Sequence, residues 1–125
     1  MAVEHDAMGR TERILMVGWG LESIISDTQI YYLEDRGHYV ARIALTEEDI
    51  LSFIDSDEHF SVVVIRNRLS DEDYGRRAAS LIKEKRPSVK IISISSSKKL
   101  TEWGDINLGI SAKDKDIAQA IERLP

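Results

Sequence analysis

Residues 61–75 read SVVVIRNRLSDEDYG, and the first five of them decide the fold. Three valines and an isoleucine in succession favour the pleated backbone of a strand over a helix. The run is apolar without alternation, which fits a strand covered on both faces, as in a parallel sheet packed between helices. The polar residues after Ile65 mark the exit from the strand. Ser70-Asp71-Glu72-Asp73 then supplies the cap and acidic first turn of a helix reaching Lys85. That helix turns Ala78, Leu81 and Ile82 inward and is stopped by Arg86-Pro87.

The same alternation extends to both sides of this stretch. Arg13 to Val17 is a second continuous apolar strand. Leu21 to Arg36 is a helix with Leu21, Ile25, Thr28 and Tyr32 on one stripe, and Gly37 stands where a C-terminal cap belongs. His38 to Ala44 reads as a half-buried strand. Thr46 caps a helix with an acidic first turn, Glu47-Glu48-Asp49, and an inner face of Ile50, Phe53 and Ile54. Val89 to Ile94 is the fourth strand, and a fifth falls within Ile106 to Ser111. Between these two, SSSKKLTEWGD is too polar and too short for a full helix, so a helix there is expected to be short or missing. Asp114 to Leu124 closes the chain with Ile117, Ala120, Ile121 and Leu124 at helical spacing. The expected architecture is a flavodoxin-like α/β three-layer sandwich with a five-stranded parallel sheet in the order 2-1-3-4-5. Residues 1–11 are expected to form a flexible tail and residues 12–125 a single domain.

Composition narrows the function. The chain has 125 residues, 42% apolar and 31% charged, with a formal net charge of −5. A nucleic-acid module is usually basic, so none is expected as a partner. The absence of cysteine excludes disulfides, thiol catalysis and cysteine-metal sites. His5, His38 and His59 lack metal-ligand spacing, and no metal or cofactor is expected. No apolar run approaches the roughly 18 residues of a membrane span, and MAVEHDAMGRTE has no signal-peptide core, so a cytoplasmic setting is expected.

In this fold class function gathers at the carboxyl ends of the strands, here after residues 17, 65 and 94. At those places the chain resembles the receiver domains of two-component response regulators, the family of the chemotaxis regulator. The resemblance runs from Arg13 to Leu124 and is carried by RILMV, GHYVARIALTEEDILSFI, SVVVIRNRLSDEDYG, RPSVKIISISS and GISAKD. It implies a magnesium-binding acidic pair after the first strand, but Gly18 and Trp19 occupy those places. It implies a phosphate-accepting aspartate at the end of the third strand, and that position is Arg66. A slip of one residue, to Asn67, supplies no carboxylate either. An aspartyl phosphate needs a carboxylate nucleophile, and a divalent cation needs hard oxygen ligands. Ser95 matches the family's hydroxyl position and Lys113 its strand-five lysine. Placing Ser111 at the lysine position would lengthen the preceding segment, but GISAKD fits the local pattern better with Lys113.

The resemblance therefore implies a non-enzymatic, degenerate receiver acting in signal transduction through protein-protein interaction. Its expected partner is a histidine kinase, a response regulator or a fused output domain; oligomeric state is left open. The alternative is a small-molecule module binding phosphate or a nucleotide. Gly18 and Gly20 would then admit the anion beside Arg66, Ser95 and Lys113, in a pocket turned positive by the loss of its acids. Against a dinucleotide, GWGLES has Ser23 in the third glycine position of GxGxxG. A salt bridge from Arg66 to Asp71 or Asp73 would close the same pocket. No nucleophile, base and acid constellation can be assembled.

Overall fold

A computed structural model describes residues 11–18, 24–67, 74–95, 104–109 and 113–124. Strands and helices alternate through them: β1 Arg13–Val17, α1 Ile24–Asp35, β2 Tyr39–Ile43, α2 Glu47–Asp55, β3 Val62–Asn67, α3 Tyr74–Lys85, β4 Lys90–Ser95, β5 Ile106–Gly109 and α4 Asp114–Arg123. Every strand pair is parallel, and the sheet order is β2-β1-β3-β4-β5. This is the expected flavodoxin-like topology.

The apolar strands are buried on both faces, as their lack of alternation demands. Ile14, Met16, Val62, Val64, Ile92 and Ile94 meet Leu33 of α1 and Ile117 and Ile121 of α4 on one face. Leu15, Val17, Val63, Ile65 and Ile91 meet Ile50 and Phe53 of α2 and Ala78 and Ile82 of α3 on the other. Each fully buried aliphatic side chain contributes roughly 1.5–3 kcal/mol. The three central strands therefore hold the two helical layers on one sheet.

Local signals behave as their chemistry requires. Thr46 Oγ1 accepts from the Asp49 amide at 3.1 Å, capping α2. Gly37, at φ +96°, ends α1: its amide donates to the Glu34 carbonyl and that of His38 to the Leu33 carbonyl. Those two bonds form the Schellman arrangement, which favours glycine at the left-handed residue. The inner stripe of α1 differs from expectation. Gln29 and Leu33 are buried and Ile30 and Tyr32 pack against the core, whereas Thr28 is exposed. Apolar residues occur nearly all round this helix, so spacing alone left its phase open.

Two polar fasteners lie away from the carboxyl ends of the strands. Between Ser95 and Gly104 the chain has eight residues, 96–103, which lie outside the described residues together with the expected short helix. On the far side of that segment, Asp105 Oδ2 accepts from the Ile91 amide at 2.7 Å and pairs with Lys83 Nζ at 3.1 Å. Asn107 Oδ1 accepts from the buried Ser93 hydroxyl at 2.6 Å. These bonds fix β5 to β4. Arg86, expected only to stop α3, also reaches the end of α2. Its guanidinium donates to the carbonyls of Phe53, Ile54, Ser56 and Glu58 and lies over the Phe53 ring. Carbonyls at a helix C-terminus have no partner within the helix, and a cation satisfies them well.

Arg86→Ala is expected to lower unfolding stability by about 1.5–3 kcal/mol, because it orphans several carbonyls at once. Arg86→Lys should recover less than half of that loss in urea denaturation, since an ammonium cannot reproduce the planar fork. Asp105 carries a pH signature. Burial alone would raise its pKa, but the Ile91 amide and Lys83 outweigh that and hold the carboxyl below its ordinary 3.8. A depressed folded pKa gives stability that is present above the ordinary value and lost as pH falls through the folded one. Asp105→Asn should therefore destabilise the chain at neutral pH, and the gap to wild type should close in urea titrations taken progressively below pH 3.8.

Candidate functional site

The candidate site lies where β1, β3 and β4 end. Gly18 follows β1 directly, and its amide donates to the Ile43 carbonyl of β2 at 2.9 Å. It is thereby held at the junction of three strands, with φ +99°, a conformation that side chains strain. A Cβ built on Gly18 would fall 2.6 Å from the Arg66 carbonyl oxygen and 3.4 Å from the Arg66 Cβ. The absent side chain is therefore what lets β1 and β3 close at this end.

Arg66 is not beyond the strand end, as the SVVVI run suggested, but within the ladder. β3 continues to Asn67, and Arg66 pairs in register with Ile94. It is half-buried and engaged with neighbouring groups. Ser95 is buried, is likewise engaged, and lies in register with Asn67 on one side and Gly109 on the other. Across the ladder, then, Ser95 neighbours position 67, one residue past Arg66. Lys113 is exposed at the start of α4. Its amide donates to Asp116 Oδ2 at 2.9 Å, so the segment is held as a helix entrance.

Of the five residues expected at the pocket, the structure brings Gly18 and Arg66 into direct contact and sets Ser95 on the adjoining strand. Lys113 stands at the start of the helix that follows β5. Trp19 lies outside the described residues. So do Gly20, the acids Asp71 and Asp73, and the side chain of Asn67, so the proposed Arg66 salt bridge and the glycine turn fall there as well. The Gly18 to Arg66 contact was not foreseen. A glycine closing a buried strand was its available signal, but the partner could be named only once β1 and β3 were known to be neighbours.

Chemically, residues 18, 66 and 95 place a bare backbone, a guanidinium and a hydroxyl at the strand ends. None of these is a carboxylate. Among the described residues, no group of three or more His, Asp or Glu side chains is arranged to hold a metal ion. No helix among them is long and apolar enough to cross a membrane.

No protein-family model matches the sequence, and no curated protein does. Solved structures do. A response regulator from Burkholderia pseudomallei, solved with a phosphorylated aspartic acid, a calcium ion and citrate, is similar with TM-score 0.72 and 18% identity over 90% of this chain and 67% of its own. One from Thermotoga maritima gives 0.68 and 16% over 89% and 95%. A response regulator receiver protein from Sinorhizobium medicae gives 0.68 and 18% over 92% and 93%. At these identities the likeness establishes the receiver fold.

Gly18→Ala is expected to cost about 2–4 kcal/mol, combining left-handed strain with the collision at the Arg66 carbonyl. Gly37→Ala is the matched control. It has a similar φ of +96°, but its added Cβ would meet only Thr11 Oγ1 at 3.7 Å. A cost of about 1 kcal/mol is expected there, from backbone conformation alone. Equal losses in chemical denaturation would remove the steric account.

Proposed function

We propose that this chain is a receiver-like signalling module that does not use aspartyl phosphorylation and that works by binding a protein. The partner classes the reading admits are a histidine kinase, a response regulator or an output domain joined to it. The observation that carries it is the Gly18 and Arg66 contact. At the acceptor position stands a guanidinium, which cannot attack phosphorus, and beside it a backbone with no room for a metal-binding carboxylate.

The receiver fold supports signalling as the broader setting. A domain deprived of a chemical switch can still present shaped surfaces, and its state is then set by what binds there. No specific contact among the described residues favours the small-anion alternative. Lys113 is exposed, Arg66 and Ser95 are already engaged, and the glycine turn lies outside the described residues.

Incubation with a small phosphodonor and magnesium, followed by intact-mass measurement, tests the proposal. The expected mass is unchanged. One phosphate on a native aspartate would overturn the reading. Arg66→Asp is also expected to stay unmodified, since a nucleophile without its cation leaves the incoming charge unscreened. Adding Gly18→Asp should not rescue it and should lower its thermal midpoint further.

A further inference from the structure

A second concavity lies on another flank, between α2 and the edge of the sheet, with a volume of about 300 Å³. Leu15, Ala41, Ile43, Phe53 and Phe60 form its apolar floor, and Ser52 and Ser56 line it from the helix side. Ser52 lies on α2, and Ser56 caps its C-terminal end, its hydroxyl donating to the Phe53 carbonyl. Larger apolar residues there would narrow the gap; serines keep it open.

Among the described residues, β2 is an edge strand. The Tyr39 amide donates to the Glu12 carbonyl, and the Ile43 carbonyl accepts from the Gly18 amide. In a parallel ladder alternate residues turn their backbone groups to the same neighbour. Tyr39, Ala41 and Ile43 therefore serve β1, while Val40 and Arg42 turn theirs along the outer edge. A ladder that can be extended beside an apolar socket suits an added strand: its backbone pairs with the edge, and an inward side chain fills the socket.

Charge selects the occupant. Residues 46–58, TEEDILSFIDSDE, contain Glu47, Glu48, Asp49, Asp55, Asp57 and Glu58 and no Lys, Arg or His, in a chain whose overall charge is −5. All six except Asp49 are exposed. Two of the nearby cations are committed elsewhere. Arg86 is held by four carbonyls, and Arg13 lies over the Tyr39 and Phe60 rings while donating to the His59 carbonyl. Arg42 itself lines the cleft and is already engaged, one cation among the acids Asp49 and Glu58 that also line it. A second copy of this chain would bring its own acidic segment against this one; a basic segment would complement it.

We propose that the β2 edge and its cleft bind an extended, lysine- or arginine-bearing segment of a partner protein, seating one large apolar side chain between α2 and β2. This deepens the proposed function and rests on it only in that a protein is what is bound.

The test uses labelled peptides of roughly nine residues with a central leucine flanked by lysines, titrated at low salt and followed by fluorescence anisotropy. The leucine peptide should bind, with its central-alanine version about tenfold weaker and its glutamate-flanked version inactive. N-methylation of alternate peptide nitrogens should abolish binding in one phase and spare it in the other, since only one phase faces β2. Ser52→Trp should weaken binding about tenfold by filling the socket, and the triple variant Glu47→Lys, Glu48→Lys, Glu58→Lys should erase the lysine preference. At saturation the Val40 amide should exchange about tenfold more slowly. No binding, indifference to N-methylation in both phases, an unchanged Val40 amide, or self-association that protects Val40 would each overturn the proposal. Phosphate uptake in the mass measurement would sink the non-phosphorylatable reading without touching this one. Failure here would leave that reading standing.

Discussion

A parallel sheet with apolar residues on both faces has no side it can leave in water, and the rest of the molecule follows from that constraint. Helices must therefore cover both faces, α1 and α4 on one and α2 and α3 on the other. The sheet order then brings the ends of β1 and β3 together in the middle. What happens at that junction is a question of backbone clearance before it is one of chemistry. Gly18 answers it by presenting no side chain, and the Arg66 carbonyl takes the space.

The strands were legible because β-branched runs such as VVVI have few other uses, and the same holds for Thr46 as a cap and Gly37 as a stop. The phase of α1 was less so. Ile30, Tyr31, Tyr32 and Leu33 offer apolar groups in several directions, and only the sheet beneath decides that Leu33 goes in while Tyr31 stays 69% exposed. Arg86 shows a different limit. Beside Pro87 it reads as punctuation, but its carbonyl partners lie some thirty positions earlier in the chain, so its clamp on α2 is a tertiary fact. At the candidate site, the loss of acids could be read directly at Gly18 and Arg66, whereas their contact depended on topology.

Two separate parts of the sheet bear on function. At the carboxyl edge, the Gly18 backbone meets the Arg66 carbonyl, with Ser95 on the adjoining strand. At the β2 edge, an acidic helix stands beside an open ladder and an apolar socket. The segment TEEDILSFIDSDE first reads as a helix with a well-complemented dipole, and that reading holds: Thr46 and the first-turn acids do cap α2. Asp49 and Glu58 of this segment also line the cleft, a placement visible only once α2 is seen to flank the edge strand.

The Gly18 contact also constrains the routes by which this chain could change. The atom in the way belongs to the backbone of residue 66, so no choice of side chain there relieves it. Substitutions at the two positions do not compensate for one another, in either order. A lineage carrying this junction would have to shift the relative placement of two central strands before an acid at position 18 became tolerable. The barrier to an acid there is a displacement of the core, which no single codon encodes.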